Sequence, residues 1–224
     1  MALFDAADLL ARVKRLALAP TTDEEMADAD WYALLTAAQV HWMRQLAVHA
    51  PEWNMGAPEL MTTADVGKTY LFGSGTVPLG GHIEIRASRT GPLLRPGPEW
   101  DPSTDYVWEG DKIRMPNNRA RTFSSGPFAR YVAVSGTLDG SNPPTLKPTE
   151  ARELLVYRAA AQWASQGGYR DPTPFLALEQ KAWAGDPALA GDVGILGNLR
   201  TAVFAMGQAA QGAGTGIWWR GGYW

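Results

Sequence analysis

The chain has 224 residues, enough for one substantial domain with an insertion, and its 46% hydrophobic and 19% charged residues are those of a folded protein rather than a disordered one. A net charge of −3 gives no basis for a broad nucleic-acid footprint, and the absence of cysteine removes disulfides, thiolate metal sites and cysteine nucleophiles together. Ten tryptophans, spread along the chain and clustered at its end, imply large aromatic contacts within or between chains.

The opening stretch MALFDAADLLARVKRLALAP places an acidic residue ahead of its apolar run and polar residues within it, so neither a signal peptide nor a membrane span is expected. Asp5 reads as an N-cap, and Leu9, Leu10, Val13 and Leu16 follow at helical spacing, which predicts a helix from 6 to about 18 that Pro20 stops. Thr22-Asp-Glu-Glu25 has the capping-box arrangement and predicts the start of a second helix. Met26, Trp31, Leu34, Leu35, Ala38, Trp42, Leu46 and Ala47 form its apolar stripe, and Pro51 ends it.

Composition changes after Pro51. From Glu52 to Pro148 proline and glycine recur and helical periodicity disappears. VGKTYLFG, GHIEIRAS, DYVWEGDKIRMP and FARYVAVSG read as short strands of a small antiparallel sheet, with a hairpin over Trp108–Ile113 and GPLLRPGPEWDPST as a long loop. Helical pattern returns at Thr149 and stops at Gly167-Gly168. Another helix is predicted after Asp171, with Thr173 as N-cap and Pro174 in the first turn, breaking near Gly185-Asp-Pro187. A last helix is expected over Gly197–Gln211.

The fold class that follows is α+β: a mainly helical bundle with a β-strand and loop insertion and an extended C-terminal tail. Residues 1–51 are the N-terminal helical hairpin of the helical core, 52–148 the β/loop insertion, 149–211 the C-terminal helices of that core, and 212–224 a Gly-rich strap with an aromatic anchor.

No motif in the chain carries catalysis. The three histidines, His41, His49 and His82, are not spaced to share a metal with local carboxylates, so no metal site and no cofactor are expected. Gly73-Ser74-Gly75 lacks the spaced glycines of a nucleophile elbow, and Gly67-Lys68-Thr69 lacks the upstream glycine and leading strand of a phosphate loop. Glu99, Asp101, Asp105, Glu109 and Asp111 crowd one stretch in the manner of paired carboxylates that cleave glycosides, but their Pro and Gly neighbours favour turns and caps. Trp100, Tyr106 and Trp108 form either a sugar-stacking platform or ordinary sheet packing. The acidic run Asp23–Asp30 suits a helix N-terminus, and the basic Asn117–Arg121 stretch suits a solvated turn or an acidic partner.

The end of the chain, GIWWRGGYW, follows the nearly side-chain-free QAAQGAGTG. Ile217, Trp218, Trp219, Arg220, Tyr223 and Trp224 combine the residue types that dominate interface energies, so they are the candidate partner-binding residues. Such a cluster needs a burial site, either a groove of its own subunit or a partner.

Three segments, ADLLARVKRLALAPTTDEEMADADWYALLTAAQVHWMRQLA, WDPSTDYVWEGDKIRMPNNRARTFSSGPFARYVAVSG and PTLKPTEARELLVYRAAAQWASQGGYRDPTPFLALEQ, resemble the head-to-tail adaptor proteins of tailed bacteriophages, also called connector or neck proteins. The resemblance spans roughly residues 6–180. It rests on an opening helix, an alanine-rich and amide-bearing second helix at Leu34–Gln45, a β excursion, and the helix ARELLVYRAAAQWA followed by GGYRDPTPF. The large β insertion and the aromatic terminus depart from the shorter adaptors. The resemblance implies a non-enzymatic virion protein at the neck, made in the host cytoplasm, that docks on the portal protein as a homo-oligomeric ring, typically a dodecamer. It further implies contact with the tail or next neck protein, DNA only as cargo in the channel, no membrane, and a C-terminal segment reaching along the portal or a neighbouring subunit. The alternatives are an aromatic-rich glycan-binding module and a cell-wall lytic accessory protein of a phage tail.

Overall fold

The computed structural model describes residues 4–17, 26–66, 68–72, 83–109, 112–116, 123, 126–133, 136–167, 170–189 and 191–201. These carry helices and two small antiparallel sheets, an α+β architecture. The described residues up to Gln39 and from Thr137 onward form one compact unit, and Val40–Gly136 forms another. Composition breaks at Pro51 and Pro148; the compact units divide at Gln39/Val40 and Gly136/Thr137, because helix α2 (Asp28–His49) contributes to both.

In the helical unit, α1 spans Ala6–Ala17 and buries Ala6, Leu9, Val13 and Ala17 along one face, the i, i+3, i+4 spacing of an amphipathic helix. Asp5 is its cap: the Asp5 carboxylate accepts the Asp8 N–H at 2.8 Å, and Asp8 reaches back to the Phe4 N–H at 2.9 Å. Met26 and Ala27 are not helical, so α2 begins at Asp28, later than the sequence predicts, with Asp28 and Asp30 in its first turn; Thr22–Glu25 lie outside the described residues. A short 3₁₀ turn at Thr149–Arg152 leads into α3 (Glu153–Gly167), which packs against both α1 and α4 (Thr173–Ala184). Ala159, Ala160, Ala161 and Ala164 of α3 are all buried, and small side chains of this kind let helices approach closely. From α2, Trp31 stacks on Trp163 of α3 with ring centroids 5.7 Å apart.

The segment entering this unit at Thr137 is held by two α2 side chains. The Thr36 hydroxyl accepts the Leu138 N–H at 2.9 Å, and the buried Gln39 amide oxygen accepts the Thr145 N–H at 3.0 Å. A polar Gln inside an apolar stripe thus satisfies a backbone group that no secondary-structure ladder reaches.

Two helix ends differ from the expectation. Thr173 is the first residue of α4 rather than its cap; the Asp171 carboxylate takes the Thr173 N–H at 2.9 Å from outside the helix. The last described helix, α5, runs over 194–201, starting three residues before Gly197 because the Asp192 carboxylate accepts the Gly194 N–H at 3.1 Å; 202–211 lie outside the described residues. Gly185 closes α4 with φ +92° and donates its N–H to the Lys181 carbonyl at 2.9 Å.

The second unit is built on short strands. One sheet has the order β1 (Glu59–Leu60), β7 (Phe128–Tyr131), β4 (Ile83–Arg86), and the other β2 (Thr62–Asp65), β3 (Thr69–Leu71), β6 (Lys112–Arg114), β5 (Val107–Glu109). The predicted hairpin is present, with Trp108 opposite Ile113. β1 and β2 are additional to the sequence reading; their residues, ELMTTAD, show no clean alternation and remain exposed except Met61.

The two sheets form one circuit. On one side β1 runs into β2 through Met61. On the other, residues 92–97 pair with both: Leu94 donates to the Ile85 carbonyl at 2.7 Å, while the Arg95 carbonyl accepts the Asp105 N–H at 2.8 Å and Gly97 donates to the Tyr106 carbonyl at 3.2 Å. A single core of Met61, Tyr70, Phe72, Ile85, Leu94, Tyr106, Ile113, Met115, Ala129 and Tyr131 fills the interior. Closing the circuit pairs what would otherwise be open sheet edges.

Candidate docking surfaces

The candidate anchor residues Ile217, Trp218, Trp219, Arg220, Tyr223 and Trp224 lie outside the described residues, as do His82, Gly73-Ser74-Gly75, Asp111 and Asn117–Arg121.

Four of the crowded carboxylates, Glu99, Asp101, Asp105 and Glu109, fall among the described residues. Glu99 meets Arg114 through both oxygens, each 3.1 Å from a guanidinium nitrogen, and Glu109 takes the Arg114 Nε at 2.5 Å. Two carboxylates on one guanidinium hold its proton more firmly, Glu99 contributing most. Asp101 accepts both the Ser103 N–H and hydroxyl at 2.8 Å, and Asp105 accepts the Arg95 N–H at 3.0 Å. Each is engaged in a turn or an ion pair, the arrangement their Pro and Gly neighbours suggested. Among the described residues no group of three or more His, Asp or Glu converges as metal ligands, and no helix is long and apolar enough to cross a membrane. His41 packs edge-on against its neighbour Trp42.

The three aromatic candidates for a stacking platform have separate fates. Tyr106 is buried in the β core, and burial pushes its hydroxyl up to about 12. Trp108 is 39% exposed and tilts against Phe72, with ring centroids 5.2 Å apart. Trp100 is 84% exposed. Its loop is nonetheless tightly made: Asp101 donates to the Pro98 carbonyl at 3.1 Å, Thr104 N–H to the Asp101 carbonyl at 3.0 Å, and the buried Thr104 hydroxyl to the Pro98 carbonyl at 2.9 Å. Gly97 at the neck leaves the space that the Thr104 hydroxyl occupies; a Cβ there would collide with it. Sequence reasoning grouped Trp100 with its neighbours by residue type, whereas Pro98 and Pro102 on either side are the local sign of a turn that keeps it outside.

Two grooves flank α3. The first, about 480 Å³, is lined by Arg12, Arg15 and Leu16 of α1 and Glu153, Val156 and Tyr157 of α3. Arg12 is engaged by Asp8 at 2.8 Å and lies over the Phe4 ring, and the Tyr157 hydroxyl donates to Glu153 at 2.7 Å. Burial first, and then that bond, raise Tyr157 to about 12. Arg15 is exposed and has no ion-pair partner among the described residues. The second groove, about 390 Å³, lies beside α3 and α4 and is lined by Arg158, Ala161, Gln162, Ser165, Gln166 and Leu176. The buried Glu179 of α4 lies 3.2 Å from Arg158 and forms an ion pair at its side.

No protein-family model matches the chain, and a search of curated proteins gives no match.

Proposed function

We propose that the chain is a structural virion protein, a head-to-tail adaptor that docks as a homo-oligomeric ring on the portal protein, joins the capsid to the tail and extends the DNA channel. What supports the reading is the order of the elements. Helices from both ends of the described chain, α1, the first half of α2, α3 and α4, make one compact unit, and the second half of α2 with the strands that follow it makes another. This is the order in which the resembling segments occur. Of the carboxylates that suggested glycoside chemistry, Glu99 and Glu109 are paired with Arg114 and Asp101 and Asp105 hold turns, while of the three ring candidates Tyr106 is withdrawn into the core and Trp100 and Trp108 remain exposed.

In this reading Ile217, Trp218, Trp219, Arg220, Tyr223 and Trp224 anchor each subunit to the portal or to its neighbour. A Gly-rich tether raises the local concentration of the aromatic end near a surface that the ring already touches. The test is electron microscopy of the purified protein with and without its portal: rings seated on portal are expected in the mixture. A chain truncated before Gly212 is expected to stay folded and lose docking, and unchanged portal binding by it removes the anchor role. Portal mixtures without rings, or clear activity on a glycan array or in a cell-wall turbidity assay, refute the adaptor reading.

A further inference from the structure

We propose that the turn between α4 and α5 is a latch: it fixes α5, the last described helix, against the end of α4, and so sets the length of chain between the helical unit and the aromatic anchor. The inference rests on the anchor role given above and names the part of the fold that controls it.

The first observation is a single carboxylate that ties both ends of the turn. One Asp192 oxygen accepts the Asp186 N–H at 2.8 Å, at the exit from α4, and the other accepts the Gly194 N–H at 3.1 Å, at the first residue of α5. Asp186 in turn accepts the Ala188 N–H at 2.9 Å and pairs with Lys181 of α4, whose ammonium is 2.6 Å away. Hydrogen bonds to an ionised acceptor are among the stronger ones, so an otherwise exposed turn is closed by charge-assisted contacts.

The second observation is a backbone approach that glycine permits. Gly185 and Gly194 have φ of +92° and +59°. A Cβ on Gly185 would strike the Asp192 carbonyl, and one on Gly194 would strike the Gly185 nitrogen and the Trp183 carbonyl. The start of α5 therefore lies directly on the last turn of α4.

The third is how little else holds α5. It covers 194–201, and Leu199 is its one buried residue. A helix this short does not persist alone in water, so once unlatched it joins the tether. With the latch closed, the fifteen positions 202–216 separate α5 from Ile217, the first anchor residue; with the latch open the separation begins at Asp186 and is thirty-one positions. The effective concentration of a tethered group falls roughly as the −3/2 power of tether length, so opening the latch dilutes the anchor about three-fold.

The absence of cysteine makes a clean test possible. Two exposed residues, Gln180 of α4 and Arg200 of α5, are changed to cysteine in the full chain and spin-labelled. Pulsed electron paramagnetic resonance is expected to give one narrow distance for this parent, and broad distributions when Asp192→Ala or Gly194→Val is added, with the helical circular dichroism otherwise retained. A narrow distance in both variants overturns the latch.

Docking is the second readout, measured with dilute subunits on immobilised portal so that ring formation does not multiply the effect. Opening the latch is expected to weaken docking about three-fold. The same loss is expected for a latched chain with sixteen Gly and Ser residues inserted after Gly212, the difference between the two spans. Unchanged or tighter docking with the latch open, or a loss that the insertion does not reproduce, overturns the proposal. Parent subunits that do not dock at all remove the adaptor reading and with it the consequence for the anchor, while the label distances still decide the latch.

Discussion

Replacing Trp31 by alanine is the most direct probe of how α2 is attached to the helical unit. Trp31 is 1% exposed and faces Trp163 across a 5.7 Å centroid distance with the ring planes 31° apart. A large-to-small change of a buried tryptophan loses its transfer energy and leaves a cavity, together about 3–5 kcal/mol. For a chain of this size each kcal/mol moves the midpoint by about 2–4 °C, so a fall of roughly 6–20 °C is expected. The stacking itself is separable by a double-mutant cycle with Trp163→Ala, which is expected to return a coupling of about 0.5–1.5 kcal/mol. Equilibrium denaturation followed by helical circular dichroism measures all four corners of the cycle. A loss below about 1 kcal/mol for Trp31→Ala, or no coupling, would show that the two rings do not join these helices.

Gln39→Leu keeps the volume of the side chain but deletes the acceptor for the Thr145 N–H; a loss of about 1–3 kcal/mol is expected, with faster amide exchange at Thr145. Gly185 and Gly191 have φ of +92° and +91°, yet a Cβ at Gly185 would strike the Asp192 carbonyl while one at Gly191 meets nothing within 4 Å. Gly191→Ala is therefore expected to cost about 1–2 kcal/mol and Gly185→Ala more, an order that unfolding midpoints will check. Tyr106 and Tyr157 both titrate at about 12 in the folded chain against an ordinary 10.0. Their raised values mean a contribution to stability that is complete below pH 10 and lost as pH rises toward about 12, visible as tyrosinate absorbance appearing together with unfolding. Asp186 and Asp192 are held below the usual carboxylate range, Asp186 by Lys181 first and Asp192 by the Asp186 and Gly194 N–H groups. The 186–193 turn is accordingly expected to loosen only as pH falls below that range, which amide exchange of Gly194 will report.

Much of the helical framework was legible without coordinates, because its signals are local. Asp5 followed by Leu9 and Val13 defines α1 through a cap and a repeat that need no partner, and Pro174 in the first turn and Gly185 at the end punctuate α4 in the same way. The 107–114 hairpin is equally local, with two β-rich triplets and a short connection. The beginning of α2 was not legible in this way: two acidic runs in succession, Asp23–Glu25 and Asp28–Asp30, both satisfy the rule for a first turn, and the described helix starts at the second.

The amino-acid sequence by itself determined the α+β class, the order of helix, β excursion and helix, and the residue types available for docking. Tertiary structure alone decided which aromatic is core and which is surface. Tyr106 and Trp100 are separated by six positions of similar composition, but only Tyr106 falls on the strand circuit that residues 92–97 close. It also decided that Arg114 collects Glu99 and Glu109, fifteen and five residues away, and that Leu16 and Val156 share a groove. The physical reason is common to these cases. Periodicity and caps report which way a side chain faces relative to its own element, whereas burial and pairing depend on what another element brings opposite it.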